Sequence, residues 1–229
     1  MGILDMIPKA KPKMPYIRLY KTVDGGIKVY IVDGSYVRSE IDEQFTNFGQ
    51  HYRFKYIPHD EFWLDKQHGV DEYNYYIGHL LIEYNDMRKG RSYDTALVEA
   101  DKIEKAMRKG SKVVAINERV YKEVNGVRIC LVNGEAVRNK YNIDFTEGGH
   151  DLVYKWMPAK TIWIDDALMD KEREVVLLHE IGERNLMSKG VGYNSAHNKI
   201  SKVEQKVRKK PELMGKVMRD EYKALGKIR

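Results

Sequence analysis

Cysteine is almost absent from this chain: Cys130 stands alone among 229 residues. A single thiol can form no intrachain disulfide, and a zinc site built on cysteines would lack its ligands. Any metal must therefore be held by histidines and carboxylates. Long apolar runs are missing as well. Stretches such as Val175 to Leu178 last only a few residues, whereas a membrane-crossing helix needs about 20, so no span and no membrane partner are expected. The opening Met1-Gly2-Ile3-Leu4-Asp5-Met6 has the glycine of a myristoylation signal but Met6 where Ser or Thr belongs, and no secretion signal follows. These absences predict an intracellular, cytoplasmic protein.

What is present is charge and a sufficient supply of core residues. Lys and Arg number 40 against 34 Asp and Glu, a net +6, and charged residues make up 32% of the chain. The hydrophobic share of 42%, with 16 Tyr and 3 Trp, is too rich for a disordered chain. Length alone allows one large or two small domains.

Self-similarity decides between them. Adding 100 to a residue number finds its counterpart: Gly34, Val37, Arg38, Phe45, Thr46, Gly49, Pro58, Trp63 and Asp65 return as Gly134, Val137, Arg138, Phe145, Thr146, Gly149, Pro158, Trp163 and Asp165. The register continues without a gap through His79, Glu83, Gly90, Tyr93, Ala96 and Glu104, matched by His179, Glu183, Gly190, Tyr193, Ala196 and Glu204. Roughly 25 identities in about 88 positions mark two copies of one unit.

Each copy opens with β-prone runs, Ile27 to Ile31 and Val127 to Leu131, followed by Asp33-Gly34 and Asn133-Gly134, dipeptides that predict hairpin turns. A second hairpin is expected from Tyr52 to Ile57 with Glu61 to Leu64, and from Leu152 to Met157 with Thr161 to Ile164. Helical spacing takes over at Tyr76, Leu80, Leu81 and Tyr84 and at Val176, Leu177, Ile181 and Leu186; Gly90 and Gly190 stop those helices and a second helix follows each. The expected fold is α+β: two tandem copies of a small antiparallel sheet followed by a helical hairpin, plus a C-terminal helix. The expected boundaries are a basic N-terminal segment 1–20, a first repeat 21–110, a second repeat 111–210 and a basic amphipathic helix 211–229.

Differences between the copies point to chemistry. The second copy has His150, Glu180 and His197 where the first has Gln50, Leu80 and Leu97. His179 and Glu183, four apart on a helix, project from one face, as two metal ligands from one turn must. His197, returning on the next helix, would be a third ligand, leaving an open position of the kind a catalytic zinc keeps. Glu204, two turns after His197, would be a fourth ligand or orient His197. Glu180, beside the first ligand, is placed to take a proton from water, like the carboxylate of the His-Glu-x-x-His motif. His150, after paired glycines that suggest positive φ, would reach over the cleft and stabilise an oxyanion. In the first copy, His79 with Glu83 is expected to be a plain hydrogen-bonded pair, because Leu80 is no base and Leu97 no ligand.

The string Asp144-Phe145-Thr146-Glu147-Gly148-Gly149-His150, with Pro158, Ile162 to Asp166, His179-Glu180-x-x-Glu183 and Gly190-x-x-Tyr193-x-x-Ala196-His197, resembles a family of small, mostly uncharacterised proteins of phages and other prokaryotic mobile elements. More distantly, the helix is similar to that of zinc-dependent metallopeptidases. The resemblance covers about Val127 to Glu204 and implies a metal-site candidate and a phage-like setting, host cytoplasm or virion, but no activity. Glu183 in place of the second histidine departs from the peptidase pattern.

The charge is concentrated at the end: Lys199 to Arg229 holds 11 Lys and Arg against 4 Asp and Glu. Leu213, Met214, Val217, Met218, Tyr222 and Leu225 form an apolar face that would dock on the body or on a protein partner. Lys9 to Lys13 is a second basic stretch. Without aromatic interleaving or a recognised motif, nucleic acid is a disfavoured partner. The sequence therefore predicts a zinc-dependent, peptidase-like hydrolase acting on peptide or protein substrates from its second copy, or else a non-catalytic tandem-repeat protein such as a phage virion or accessory component.

Overall fold

The computed structural model describes residues 14–227; the basic stretch Lys9 to Lys13 lies outside them. The first unit runs β1 (Tyr16–Val23), β2 (Ile27–Val32), α1 (Gly34–Glu40), β3 (Phe48–Gln50), β4 (Glu61–Asp65), α2 (Val70–Arg88) and α3 (Tyr93–Arg108). The second repeats it as β5 (Arg119–Val124), β6 (Val127–Val132), α4 (Gly134–Lys140), β7 (Gly148–His150), β8 (Thr161–Asp165), α5 (Asp170–Met187) and α6 (Tyr193–Lys209). A last helix, α7 (Met214–Ala224), follows a short turn at Pro211–Leu213. Two tandem sheet-and-helix units plus a C-terminal helix are thus present, as the repeat implies. The first sheet already starts at Tyr16, earlier than the boundary at residue 21.

Each sheet has four strands, in the orders β1-β2-β4-β3 and β5-β6-β8-β7. The outer pairings are antiparallel, while the central ones, β2 with β4 and β6 with β8, are parallel. The hairpins lie one element earlier than expected. Asp24-Gly25-Gly26 joins β1 to β2, and Asn125-Gly126, both at positive φ, joins β5 to β6. The first turn is one residue longer, so the offset of 100 becomes 101 upstream of Ile27.

Asp33 and Asn133 are helix caps and not hairpin turns: their side chains accept the N–H groups of Tyr36 and Ala136. The following glycines serve close approach. A Cβ on Gly34 or Gly134 would lie 1.9 or 1.8 Å from a carboxylate oxygen of Asp65 or Asp165. Those carboxylates accept the glycine N–H and pair with Arg38 and Arg138, fixing the start of α1 and α4 to the ends of β4 and β8. Residues 52–57 and 152–157 form turns in place of the expected strands. They bring Phe54 and Ile57, or Tyr154 and Met157, under the sheets.

One sheet face packs on the long helix of its unit. Ile27, Val29, Ile31, Phe62 and Leu64 meet Tyr73, Tyr76, Ile77, Leu80 and Tyr84. Val127, Ile129, Leu131, Ile162 and Ile164 meet Val176, Leu177 and Ile181. Each such side chain contributes about 1.5–3 kcal/mol by leaving water. Leu225 is fully buried in the second of these cores, with Met218 and Tyr222 packed against it, so this part of the apolar face of the C-terminal segment docks on its own unit.

The units meet through an exchange of ion pairs. Arg38 of the first reaches Glu172 of the second through Nε to Oε1 (2.8 Å), and Arg138 of the second reaches Glu72 of the first in the same way (2.8 Å). Arg208 and Arg108 bind the same two carboxylates from within their own units. A contact from i to j repeated from j's unit to i's is the signature of a two-fold interface, here inside one chain. Burial would raise the carboxyl pKa values of Glu72 and Glu172, but the arginines outweigh it and hold both down to about 2.

Candidate metal centre

The helical hairpin α5–α6 carries the site. Positive φ at Gly190 lets α5 end and the chain turn back, so that the first turn of α6 lies beside the middle of α5. His179, Glu183 and His197 converge as expected. His179 Nε2 lies 3.1 Å from His197 Nδ1 and 3.5 Å from Glu183 Oε2, and His197 Nδ1 lies 2.9 Å from Glu183 Oε2. Donors held at 2.0–2.1 Å around a tetrahedral ion sit about 3.3 Å apart, so this triangle has the size of one face of such a coordination shell. The three residues form a group that could hold a metal ion.

Proton accounting supports the same conclusion. His179 Nδ1 faces Glu204 Oε2 at 2.7 Å, which places a proton on Nδ1 and leaves Nε2 as the nitrogen that an ion would take in place of its proton. A histidine whose far nitrogen is held by a carboxylate is the arrangement that orients metal-binding imidazoles. Burial alone would push the His179 imidazolium down, but hydrogen bonds to Glu183 and Glu204 and the charge of Glu180 prevail, holding it up to about 10. Glu183 goes the other way: hydrogen bonds from His150, His179 and His197 overcome burial and lower it. The carboxylates around His179 thus favour positive charge at this position.

Two expected roles change. Glu204 is neither a fourth ligand nor the partner of His197; it stands behind His179, with Arg208 Nε on its other oxygen at 2.8 Å. Its position seven residues after His197 puts it on the right face but one layer out. His150 does not overhang the cleft. Its side chain is fully buried in β7, accepting the Leu152 N–H on Nδ1 (3.3 Å) and facing Glu183 Oε1 with Nε2 (3.0 Å). With Nδ1 taken as acceptor, Nε2 carries the proton and donates it.

The first unit confirms this role. Gln50 occupies the same place: its amide donates to Glu83 Oε1 (2.6 Å) and its carbonyl accepts from Tyr52 N (2.6 Å). An amide nitrogen can replace a donating imidazole but not a metal ligand. His150, Glu180 and Glu183 form a second compact group, yet the equivalence of His150 to Gln50 makes it a hydrogen-bond cluster around Glu183. The rest of the scaffold is also duplicated, with His79 Nδ1 on Glu104 Oε2 (2.9 Å) and His79 Nε2 3.5 Å from Glu83 Oε2.

What the second unit alone has is Glu180, His197 and open space. The space comes from Gly148, and not through the backbone conformation that paired glycines suggest: Gly148 and Gly149 have no positive φ. Gly149, like Gly49, makes room for an aromatic ring, its Cβ position lying 2.4 Å from the Tyr154 ring. Gly148 lies over Glu180 and Val176, with 3.1 Å from its Cβ position to each. In the first unit Phe48 fills that place, its ring 5.0 Å from His79 and 4.8 Å from Tyr76. The exchange of Phe48 for Gly148 is readable from the repeat and opens the site.

The result is a cleft of about 530 Å³ with His179, Glu180, His197 and Gly148 on one side. The His197 side chain is 44% exposed to solvent. Burial raises the pKa of Glu180. Arg38, Gln44, Thr46 and Arg53 of the first unit form the opposite wall. Glu147 also lines it, pushed up to about 7 by burial against the opposing charge of Arg38. The first unit's counterpart cleft, around His79 and Leu97, holds only about 150 Å³. No helix among the described residues is long and apolar enough to cross a membrane. Comparison of the chain with protein-family models, curated proteins and solved structures returns no match.

Proposed function

We propose that this chain is a metal-dependent hydrolase, peptidase-like in its chemistry, with zinc held by His179, Glu183 and His197 of the second unit. The observation that carries the reading is the convergence of three donor atoms at coordination-shell spacing, next to a half-buried carboxylate that no histidine bonds, on the wall of an open cleft. Two imidazoles and a carboxylate are a donor set that suits zinc and leaves a position free. Zinc bound there would supply Lewis acidity toward a carbonyl group and toward water.

The chain's own residues supply the rest. Glu204 holds His179 in the tautomer with Nε2 free, and His150 fixes Glu183 from behind. Glu180 is the one carboxylate of the cluster with no histidine hydrogen bond, and its raised pKa suits a group that accepts a proton from water and returns it to a leaving amine. A peptide fits the polar walls provided by Gln44, Thr46, Thr146, Asn198 and Ser201. A second reading, a non-catalytic tandem-repeat protein such as a phage accessory or virion component, is favoured by the first unit, which keeps the same His-Glu-Glu scaffold as an ordinary polar cluster.

Elemental analysis of the purified protein with His197→Ala and Glu180→Gln variants separates the two. The hydrolase reading expects about one zinc per chain, lost in His197→Ala and kept in Glu180→Gln, with peptide hydrolysis absent from both variants. Zinc retained without any hydrolysis supports a structural site. No zinc in the wild type, even after addition, refutes the hydrolase reading and leaves the non-catalytic tandem-repeat protein.

A further inference from the structure

The wall that faces the metal centre belongs to the first unit, and it carries a cation with no acidic partner. Arg53 is exposed, and among the described residues no carboxylate lies within ion-pair distance of it. It is nevertheless held in place. Its guanidinium carbon lies 4.7 Å from the Tyr93 ring centroid and 5.1 Å from that of Phe54, and Nη2 donates to Gln44 Oε1 at 3.4 Å. A guanidinium stacked on aromatic faces loses little freedom when it binds, and its planar fork matches a carboxylate. The repeat shows that the fold does not need it: the second unit has Val153 at that position.

Arg38 reinforces the same wall. It is buried, it lines the cleft, and its Nη2 has no hydrogen-bond partner. Its counterpart Arg138 spends Nη2 on Glu72 Oε2, whereas Glu172 Oε2 is taken by Ser35 and Arg208. The two-fold match between the units thus breaks at Arg38, whose Nη2 is buried and unpaired beside the cleft. Of the four carboxylates that line the cleft, Glu147, Glu180 and Glu204 come from the second unit and Glu43 from the first. At about 530 Å³ the cleft is within the range that encloses a small ligand.

We propose that Arg53 is the anchor of a carboxylate subsite, so that the substrate is a peptide carrying a carboxylate to one side of the bond that lies over His179, His197 and Glu180. The proposal rests on the hydrolase reading for what happens at the opposite wall, but the anchoring itself does not require the metal. It also gives the first unit a role of its own, holding the substrate that the second unit acts on.

Equilibrium titration of the full chain, zinc-free and zinc-loaded, tests this with N-acetyl-trialanine as the free acid, the same peptide as its C-terminal amide, and an amide with one alanine replaced by aspartate. The free acid is expected to bind at least tenfold more tightly than the amide, about 1.4 kcal/mol. Arg53→Gln should bring the acid to within about twofold of the amide while leaving amide binding and zinc content unchanged. Arg53→Lys, which keeps the charge but not the fork, should fall between. A preference shared by the aspartate peptide identifies an acidic side chain as the anchored group, and one confined to the free acid identifies the C-terminus. Acid and amide that bind alike, or not at all, overturn the proposal, as does a preference that survives Arg53→Gln. A chain that takes up no zinc overturns the hydrolase reading alone, since the zinc-free titration still reads Arg53.

Discussion

Replacing Leu97 by histidine should give the first unit a metal site of its own. That unit already has His79 Nε2 3.5 Å from Glu83 Oε2, the same separation as His179 from Glu183, with Glu104 behind His79 and Gln50 behind Glu83. Leu97 occupies the place of His197 and lines the cleft with His79 and Glu83. It is only half-buried, so losing it costs about 1 kcal/mol of apolar burial. Wild type should bind one zinc per chain and Leu97→His two. A free zinc concentration 100 times the dissociation constant stabilises by about 2.7 kcal/mol per site, which is a rise in melting temperature of roughly 5–10 °C for a chain of this size. The assays are elemental analysis after gel filtration and thermal denaturation with and without zinc. The added His197→Ala change should return the count to one. A folded Leu97→His protein that takes up no more zinc than wild type would refute the claim that a second imidazole, the third ligand, is what the first unit lacks.

Three further outcomes follow from the same geometry. Gly148→Phe should close the cleft as Phe48 does in the first unit, abolishing peptide binding in titrations while zinc content stays at one per chain; peptide binding at wild-type strength would show that the cleft is not the substrate site. Glu204→Gln removes the charge that Arg208 and His179 share, and zinc affinity measured by competition with a chromogenic chelator should fall by about 10–100-fold, with no change showing that Glu204 does not orient His179. The Glu172 carboxyl is held down to about 2, so its contribution is present above the unfolded value near 4.5 and is lost as pH falls toward 2; urea unfolding should show Glu172→Gln less stable by about 3–5 kcal/mol at pH 7, the gap closing between pH 4.5 and 2, and a gap independent of pH would contradict this.

The features legible in the sequence are those that repeat or lie close along the chain. An offset of 100 defines the two units, and the i, i+4 spacing of His179 and Glu183 with a helical return brings His197 to them. Strand order is harder. Asp-Gly and Asn-Gly dipeptides serve equally as hairpin turns and as a helix cap followed by a first-turn glycine, and only the Asp65 and Asp165 carboxylates, about 30 residues further on, decide for the cap at Gly34 and Gly134. The parallel pairing of β2 with β4 joins segments with a helix and another strand between them, for which no local pattern exists. His150 invites the wrong role because a histidine that differs between the copies looks functional, while Gln50 can make the same two hydrogen bonds. The pairing of Glu72 with Arg138 and of Glu172 with Arg38 has no local trace, since each partner is a charged residue that would sit equally well in water.

That pairing bears on why the first unit persists. His179 is held by Glu204, Glu204 by Arg208, Arg208 by Glu172, and Glu172 by Arg38 of the other unit. The same chain runs from His79 through Glu104, Arg108 and Glu72 to Arg138. Each unit's histidine is therefore braced from the opposite unit, and a buried charge left alone by losing its partner is costly. Every position in these chains holds the same residue in both units. Phe48, Leu80 and Leu97 lie outside the chains, and those are the positions at which the first unit has closed its own cleft. The second unit has Gly148, Glu180 and His197 there, so three uncoupled positions separate a filled scaffold from an open site without disturbing the frame that orients it.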